Sequence, residues 1–176
     1  YNTGRLVCLD TRTNEIKWQQ DDLVGELGTD KQGIFTLFVD RDNDIWMYSP
    51  LGIWVYNPEQ EKWLSWLTNI IKRRSHNMVR AVSQDKQGRI WIGTDQDGID
   101  ILDKKTGEVR QLRNKTGDER SLQNNTVMVL YEDSSETMWV GTYKKGISYF
   151  NECAFKFGAE YIGDISCIEE DKEGYV

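Results

Sequence analysis

Asp40, Asp42 and Asp44 alternate in the stretch DRDND, and alternating carboxylates of this kind open the loop that binds calcium. That loop also needs glycine at its sixth place and glutamate at its twelfth, where this chain has Ile45 and Leu51. The alternation is therefore read as turn chemistry, in which aspartate side chains accept from the backbone that follows them. Histidine catalysis would rest on His76 alone. The sequence holds no nucleophile elbow, zinc-protease motif or phosphate-binding loop. Cys8, Cys153 and Cys167 lack a paired spacing, so a zinc or redox centre has no support, and Cys8 and Cys167 read as small hydrophobes. No metal and no cofactor is expected. Carboxylates abound, and counting alone does not remove a glycosidase-like pair, but nearly every aspartate has a place in a repeated turn.

Tryptophans invite a sugar-stacking role, yet their spacing argues for packing. Trp46, Trp91 and Trp139 share one local frame, DIWMYS, RIWIGT and TMWVGT, at intervals of 45 and 48 residues. Six residues before each stands an aspartate (Asp40, Asp85, Asp133), and Asp171 follows 38 residues after the last of these. After each comes a loop glycine, Gly52, Gly98 and Gly146, followed by IWVY, IDIL and ISYF. Scattered aromatics would not reproduce four landmarks per copy, so the chain is read as a repeat. The repeat tryptophans are expected to be buried together between units, and the three glycines to sit at positive φ in tight loops. Trp63 and Trp66, beside a connection, are freer.

The apolar segments are short and bounded by Asp, Gly, Asn or Pro, which makes them strand-sized. IFTLFV, IWVY and VMVLY are apolar on both faces, the mark of strands sandwiched between layers. A four-stranded meander of this period packed on both faces points to an all-β fold, a fragment of a β-propeller. The alternative, a β-sandwich, does not need a tryptophan-bearing repeat. The expected division is the end of a preceding blade with its connection at 1–32, blades at 33–66, 77–112 and 125–157, and the start of another at 165–176. Residues 65–77 and 113–125 are read as connections. The chain opens and closes in mid-repeat, so a piece of something longer is expected.

A net charge of −7 and a pI near 4.8 oppose a nucleic-acid or anionic-membrane surface. The basic run 72–74 reads as a solvated loop. No stretch reaches the roughly 18 apolar residues of a membrane span.

In a meander, alternate turns gather at opposite ends. One end here carries stereotyped turns such as DKQG and DKKTG, while the other carries loops that differ from unit to unit. Binding belongs on variable loops held by a rigid scaffold. The candidate ligand residues are therefore Asp95, Gln96, Asp97, Tyr143, Lys144 and Lys145, with Trp66 and Arg120 from the connections.

VRAVSQDKQGRIWIGTDQDGIDILDKKTGEVRQL and SLQNNTVMVLYEDSSETMWVGTYKKGISYFN resemble the two-component-regulator propeller repeat, found in the periplasmic sensor regions of Bacteroidetes hybrid two-component histidine kinases. Residues 77–102 meet its pattern nearly fully. Residues 125–150 depart at Ser135-Glu136, and residues 33–56 carry MYS in place of IGT. The resemblance implies a periplasmic sensor segment without catalytic activity of its own, whose parent kinase joins the membrane elsewhere. It implies an oligosaccharide or another small periplasmic ligand, and the remaining blades and domains of the parent as partners. The alternatives are a protein–protein scaffold and a carbohydrate-active propeller enzyme. Half-units at both ends leave open edges, from which association of two copies is expected ahead of closure of 6–9 and 16–18 onto 165–169.

Overall fold

The computed structural model describes residues 5–21, 35–49, 52–74, 78–151, 156–160, 163 and 165–176. Expectations placed on Pro50, Leu51, His76 and Cys153, and on the side chains of 72–74, lie outside the described residues. Strands β1 (Leu6–Leu9) and β2 (Ile16–Gln20) form a two-stranded half-blade. Three full blades follow: β3 (Thr36–Val39), β4 (Ile45–Ser49), β5 (Gly52–Asn57) and β6 (Lys62–Trp63); β7 (Val79–Gln84), β8 (Ile90–Thr94), β9 (Ile99–Leu102) and β10 (Val109–Leu112); β11 (Val127–Glu132), β12 (Met138–Thr142), β13 (Gly146–Asn151) and β14 (Lys156–Glu160). Each blade is an antiparallel meander with its strands in sequence order. The architecture is a β-propeller segment.

The first turn of each blade follows one scheme. The carboxylate of Asp40 accepts from the N–H groups of Asp42 and Asp44, that of Asp85 from Arg89, and that of Asp133 from Ser135 and Thr137. The turn needs one left-handed residue, supplied by Asn43 (φ 62°), Gly88 (φ 86°) and Glu136 (φ 64°). The departure at Ser135-Glu136 thus keeps the turn, because Glu136 takes the conformation that glycine takes elsewhere.

Alternation along the second strand decides which blade each side chain meets. Trp46 faces forward into a core shared with Val79, Val82, Ile90 and Ile92 of the next blade. Ile45 and Met47 face back toward Leu6 of the half-blade. Trp91 repeats the forward contact with Val127, Leu130 and Val140. Trp46 is 0% and Trp91 1% exposed. Trp139, expected to be equally buried, is only partly buried.

Glycine sets the distance between blades. A Cβ on Gly93 would lie 2.6 Å from Val127 Cγ1, and one on Gly141 would lie 2.5 Å from Val129 Cγ1. A further recurring bond ties each turn to the segment that follows the blade. The N–H of Arg41 donates to Gln84 Oε1 (2.8 Å), that of Lys86 to Glu132 Oε1 (2.7 Å) and that of Ser134 to a Glu170 carboxylate oxygen (2.9 Å). The acceptor in each case is the residue just before the repeat aspartate.

Two expectations need correction. Residues 65–77 are not a plain connection: helix α1 spans Ser65–Arg74 and leaves β6 only two residues long. Leu67 and Ile71, four apart on one helical face, enter the core beside Trp46 and Val79, and that burial outweighs the polar composition. The inner strand β3 is not sandwiched. Leu37 and Val39 are 51% and 56% exposed, since the half-blade supplies only an outer strand pair, which packs over β4 and β5 instead. Closure, the alternative ranked behind association, is absent among the described residues: β1 and β2 pair only with each other, and 165–169 form no strand.

Candidate functional site

The variable loops and the connections do meet at one end, through backbone bonds. The N–H of Asp95 donates to Met78 O, that of Tyr143 to Thr126 O, and that of Gly98 to Asn125 O. The buried hydroxyls of Thr94 and Thr142 brace these loops by donating to Gly98 O (2.9 Å) and Gly146 O (3.0 Å). Gly52, Gly98 and Gly146 stand at φ 149°, 77° and 72°. A Cβ on Gly98 would come 2.2 Å from Leu112 O, so only glycine fits.

The eight candidate ligand residues do not converge on one pocket. Asp95 pairs with Arg80 at 2.7 Å, and Asp97 pairs with Arg113. Gln96 is exposed in a left-handed conformation (φ 77°). Lys144 holds its ammonium 4.9 Å above the ring of Tyr143, and Lys145 is exposed beside them. Trp66 stands 48% exposed on α1. Arg120 lines a separate groove with Arg113.

A cavity of about 230 Å³ lies at this end where the three inner strands approach, lined by Thr36 of β3, Arg80 of β7 and Met128 of β11, with Tyr48, Ser49 and Met78. Irregularities interrupt the register between Val79 and Ala81 and between Val127 and Val129. A bulge of this kind re-aims a side chain, and the two residues set free, Arg80 and Met128, both line the cavity. Tyr48 occupies the place held by Gly93 and Gly141 in the other blades, so the MYS departure forms part of the wall. Burial raises the pKa of the Tyr48 phenol above its ordinary value, which leaves a neutral hydroxyl at physiological pH. The site thus joins thioether and aromatic surface to hydroxyls and one arginine held by Asp95. Sequence reasoning reached Asp95 but missed Arg80, Met128 and Tyr48, because a bulge leaves no mark in composition or periodicity.

Asp40, Asp42 and Asp44 do come together, with donor oxygens within 4.8 Å of one another. The ammonium of Lys104, from the turn between β9 and β10, sits among them at 2.6, 2.8 and 2.7 Å. Burial pushes the Lys104 pKa down, but the three hydrogen-bonded carboxylates outweigh it and hold the pKa above its usual value. The triad is a socket for a lysine of the next blade.

Two stretches of the chain, residues 74–96 and 121–144, match the model of the two component regulator propeller family. They carry Trp91, Gly93 and Thr94 and their counterparts Trp139, Gly141 and Thr142. No curated protein sequence matches. Among solved structures, the chain is similar to the extracellular domain of a protein named as a hybrid two component system of B. thetaiotaomicron, with 24% identity, a TM-score of 0.62, and coverage of 82% of this chain and 20% of that one. It is also similar to virginiamycin B lyase of Staphylococcus aureus, with 12% identity, a TM-score of 0.60, and coverage of 91% and 49%. The β-propeller domain of Cps50 (Swd1) of Myceliophteria thermophila gives 12% identity, a TM-score of 0.64, and coverage of 98% and 56%. These likenesses establish the propeller fold. The chain spans from a fifth to about half the length of these relatives.

Proposed function

We propose that this chain, which carries two component regulator propeller repeats, is a ligand-sensing segment of the extracytoplasmic region of a two-component sensor histidine kinase. The observation that carries the reading is the inner-strand cavity. In two repeats of this family, matched bulges turn Arg80 and Met128 toward one small space at the variable end.

The cavity's chemistry suits an uncharged, polyhydroxylated ligand such as one residue of an oligosaccharide. Tyr48 and Met128 supply apolar surface, Thr36 and Ser49 supply hydroxyls, and the Arg80–Asp95 pair supplies a donor and an acceptor. At about 230 Å³ it is smaller than the ~300–1,000 Å³ of complete ligand pockets, so it takes one end of a longer ligand. The segment works by binding, in the periplasm, and signalling belongs to the parent protein. Its partners are the neighbouring blades and, for the isolated segment, a second copy. Val7, Leu9 and Ile16 present an exposed apolar face on the half-blade that calls for cover.

Calorimetric titration of the intact sensor region against a library of neutral oligosaccharides tests the reading. Binding that Arg80→Ala weakens at least tenfold is expected. Turnover of a glycan would overturn the non-catalytic assignment, and silence across the library would favour a protein–protein scaffold.

A further inference from the structure

We infer that a second groove, on the outer edge of the segment, is a binding site for an oxyanion, either a carboxylate or a sulfate carried on a small molecule. The groove has a volume of about 260 Å³ and lies between β10 and the 113–125 connection. Arg110, Arg113, Lys115 and Arg120 line it, with Asp118 as the acidic residue and Phe150 as an apolar wall. It shares no lining residue with the inner-strand cavity.

Charge is the first argument. The chain has seven more acidic than basic residues, and most cations that bridge its blades are paired. Among the described residues, Arg110, Lys115 and Arg120 form no ion pair, yet they share one groove. Like charges gathered on one groove repel one another, and a bound anion would relieve that repulsion. Arg113 is tied to Asp97, and the Oδ1 of Asp118 accepts from the N–H of Arg120.

Rigidity is the second argument, independent of charge. The connection is pinned along its length. The N–H of Lys115 donates to Ser121 Oγ (2.9 Å), and the hydroxyl of Ser121 donates to Asp118 O (2.8 Å). Asn114 donates through its amide to Leu122 O (2.6 Å) and through its N–H to Asn125 Oδ1 (2.7 Å). Leu122 is fully buried in the core between the last two full blades. The backbone positions of Lys115 and Arg120 are thus set before any ligand arrives, which lowers the ordering cost of binding. Guanidinium groups hold planar carboxylates and sulfates through paired N–H donors, and Phe150 offers a surface for the carbon skeleton.

The test is calorimetry on the intact chain at low ionic strength, with sodium sulfate, glucuronate and glucose as probes, repeated on the Arg110→Ala/Arg120→Ala double variant. Both positions are exposed, so the variant should keep the wild-type melting temperature. Sulfate or glucuronate should bind at least tenfold more tightly than glucose, and the double variant should lose that preference. Binding of sulfate alone, or of glucuronate alone, supports the inference and identifies the headgroup. No binding of either anion, or binding unchanged in the double variant, overturns it. If neither anion binds while neutral oligosaccharides bind in a way that Arg80→Ala weakens, this inference falls and the proposed function stands.

Discussion

The indole nitrogen of Trp91 donates to Oδ2 of Asp85 across 2.8 Å, with both side chains buried. The same pair recurs as Trp46 with Asp40 and Trp139 with Asp133, at 2.8 and 2.7 Å. The pair solves two problems together. A buried carboxylate needs donors and a buried indole needs an acceptor, and the hairpin of the first two strands places them opposite each other.

Replacing Trp91 should separate packing from hydrogen bonding. Trp91→Ala should cost about 3–5 kcal/mol through lost volume. Trp91→Phe keeps most of that volume and removes one donor from Asp85 Oδ2, which still accepts from Arg89 Nε at 2.6 Å, so the loss should be smaller, about 1 kcal/mol. Urea unfolding of both variants checks this, and a Trp91→Ala midpoint equal to wild type would refute the packing role.

Gly93 lets the next blade approach, so a single methyl there should be felt. Gly93→Ala puts a Cβ 2.6 Å from Val127 Cγ1 and should destabilise by about 1–3 kcal/mol through overpacking. Combining it with Val127→Ala should cost less than the sum of the two single changes, because the second removes the clashing group. A double-mutant cycle measures the coupling, and strict additivity would contradict the close approach.

The bond from Lys86 N–H to Glu132 needs an acceptor, not a charge, since Gln84 does the same work one blade earlier. Glu132→Gln should therefore be tolerated at neutral pH, whereas Glu132→Ala should lose about 1 kcal/mol or more. Burial raises the Glu132 pKa above its ordinary 4.5. The associated stability is present below that value and fades as pH rises through the folded pKa, so the glutamine variant should match or exceed wild type at pH 7. Thermal unfolding at pH 4 and pH 7 would expose the opposite trend if the assignment is wrong.

Lys104 makes the stability of the segment depend on acid. The hydrogen bond and charge of Lys104 lower the Asp42 pKa below 3.8. The stability from this contact is present above 3.8 and is lost as pH falls through the folded pKa. Lys104→Met leaves Asp40, Asp42 and Asp44 facing one another without a cation. The variant should be clearly less stable than wild type at pH 7, and the gap should narrow below pH 4 as Asp42 protonates. A gap that stays constant from pH 7 to pH 3 would show that the socket contributes little.

The period, the strands and the turns were legible in the chain because their causes are local. Aspartate six residues before tryptophan, a left-handed residue closing each turn and glycine opening the next hairpin all act within one blade. Variable loops at one end followed from the parity of a meander. Tertiary structure decided the contacts between blades. Asp40 meets Lys104 across 64 positions, Lys86 meets Glu132 across 46, and Leu67 and Ile71 earn their burial only from a core built by two sheets. The outer groove was missed for a related reason: Arg110, Lys115 and Arg120 are spread over a strand and a connection, and only the folded connection places them along one groove. A repeat announces that each unit has two faces to bury. It does not say which side chains cross between them, since that depends on the angle and spacing at which one twisted sheet meets the next.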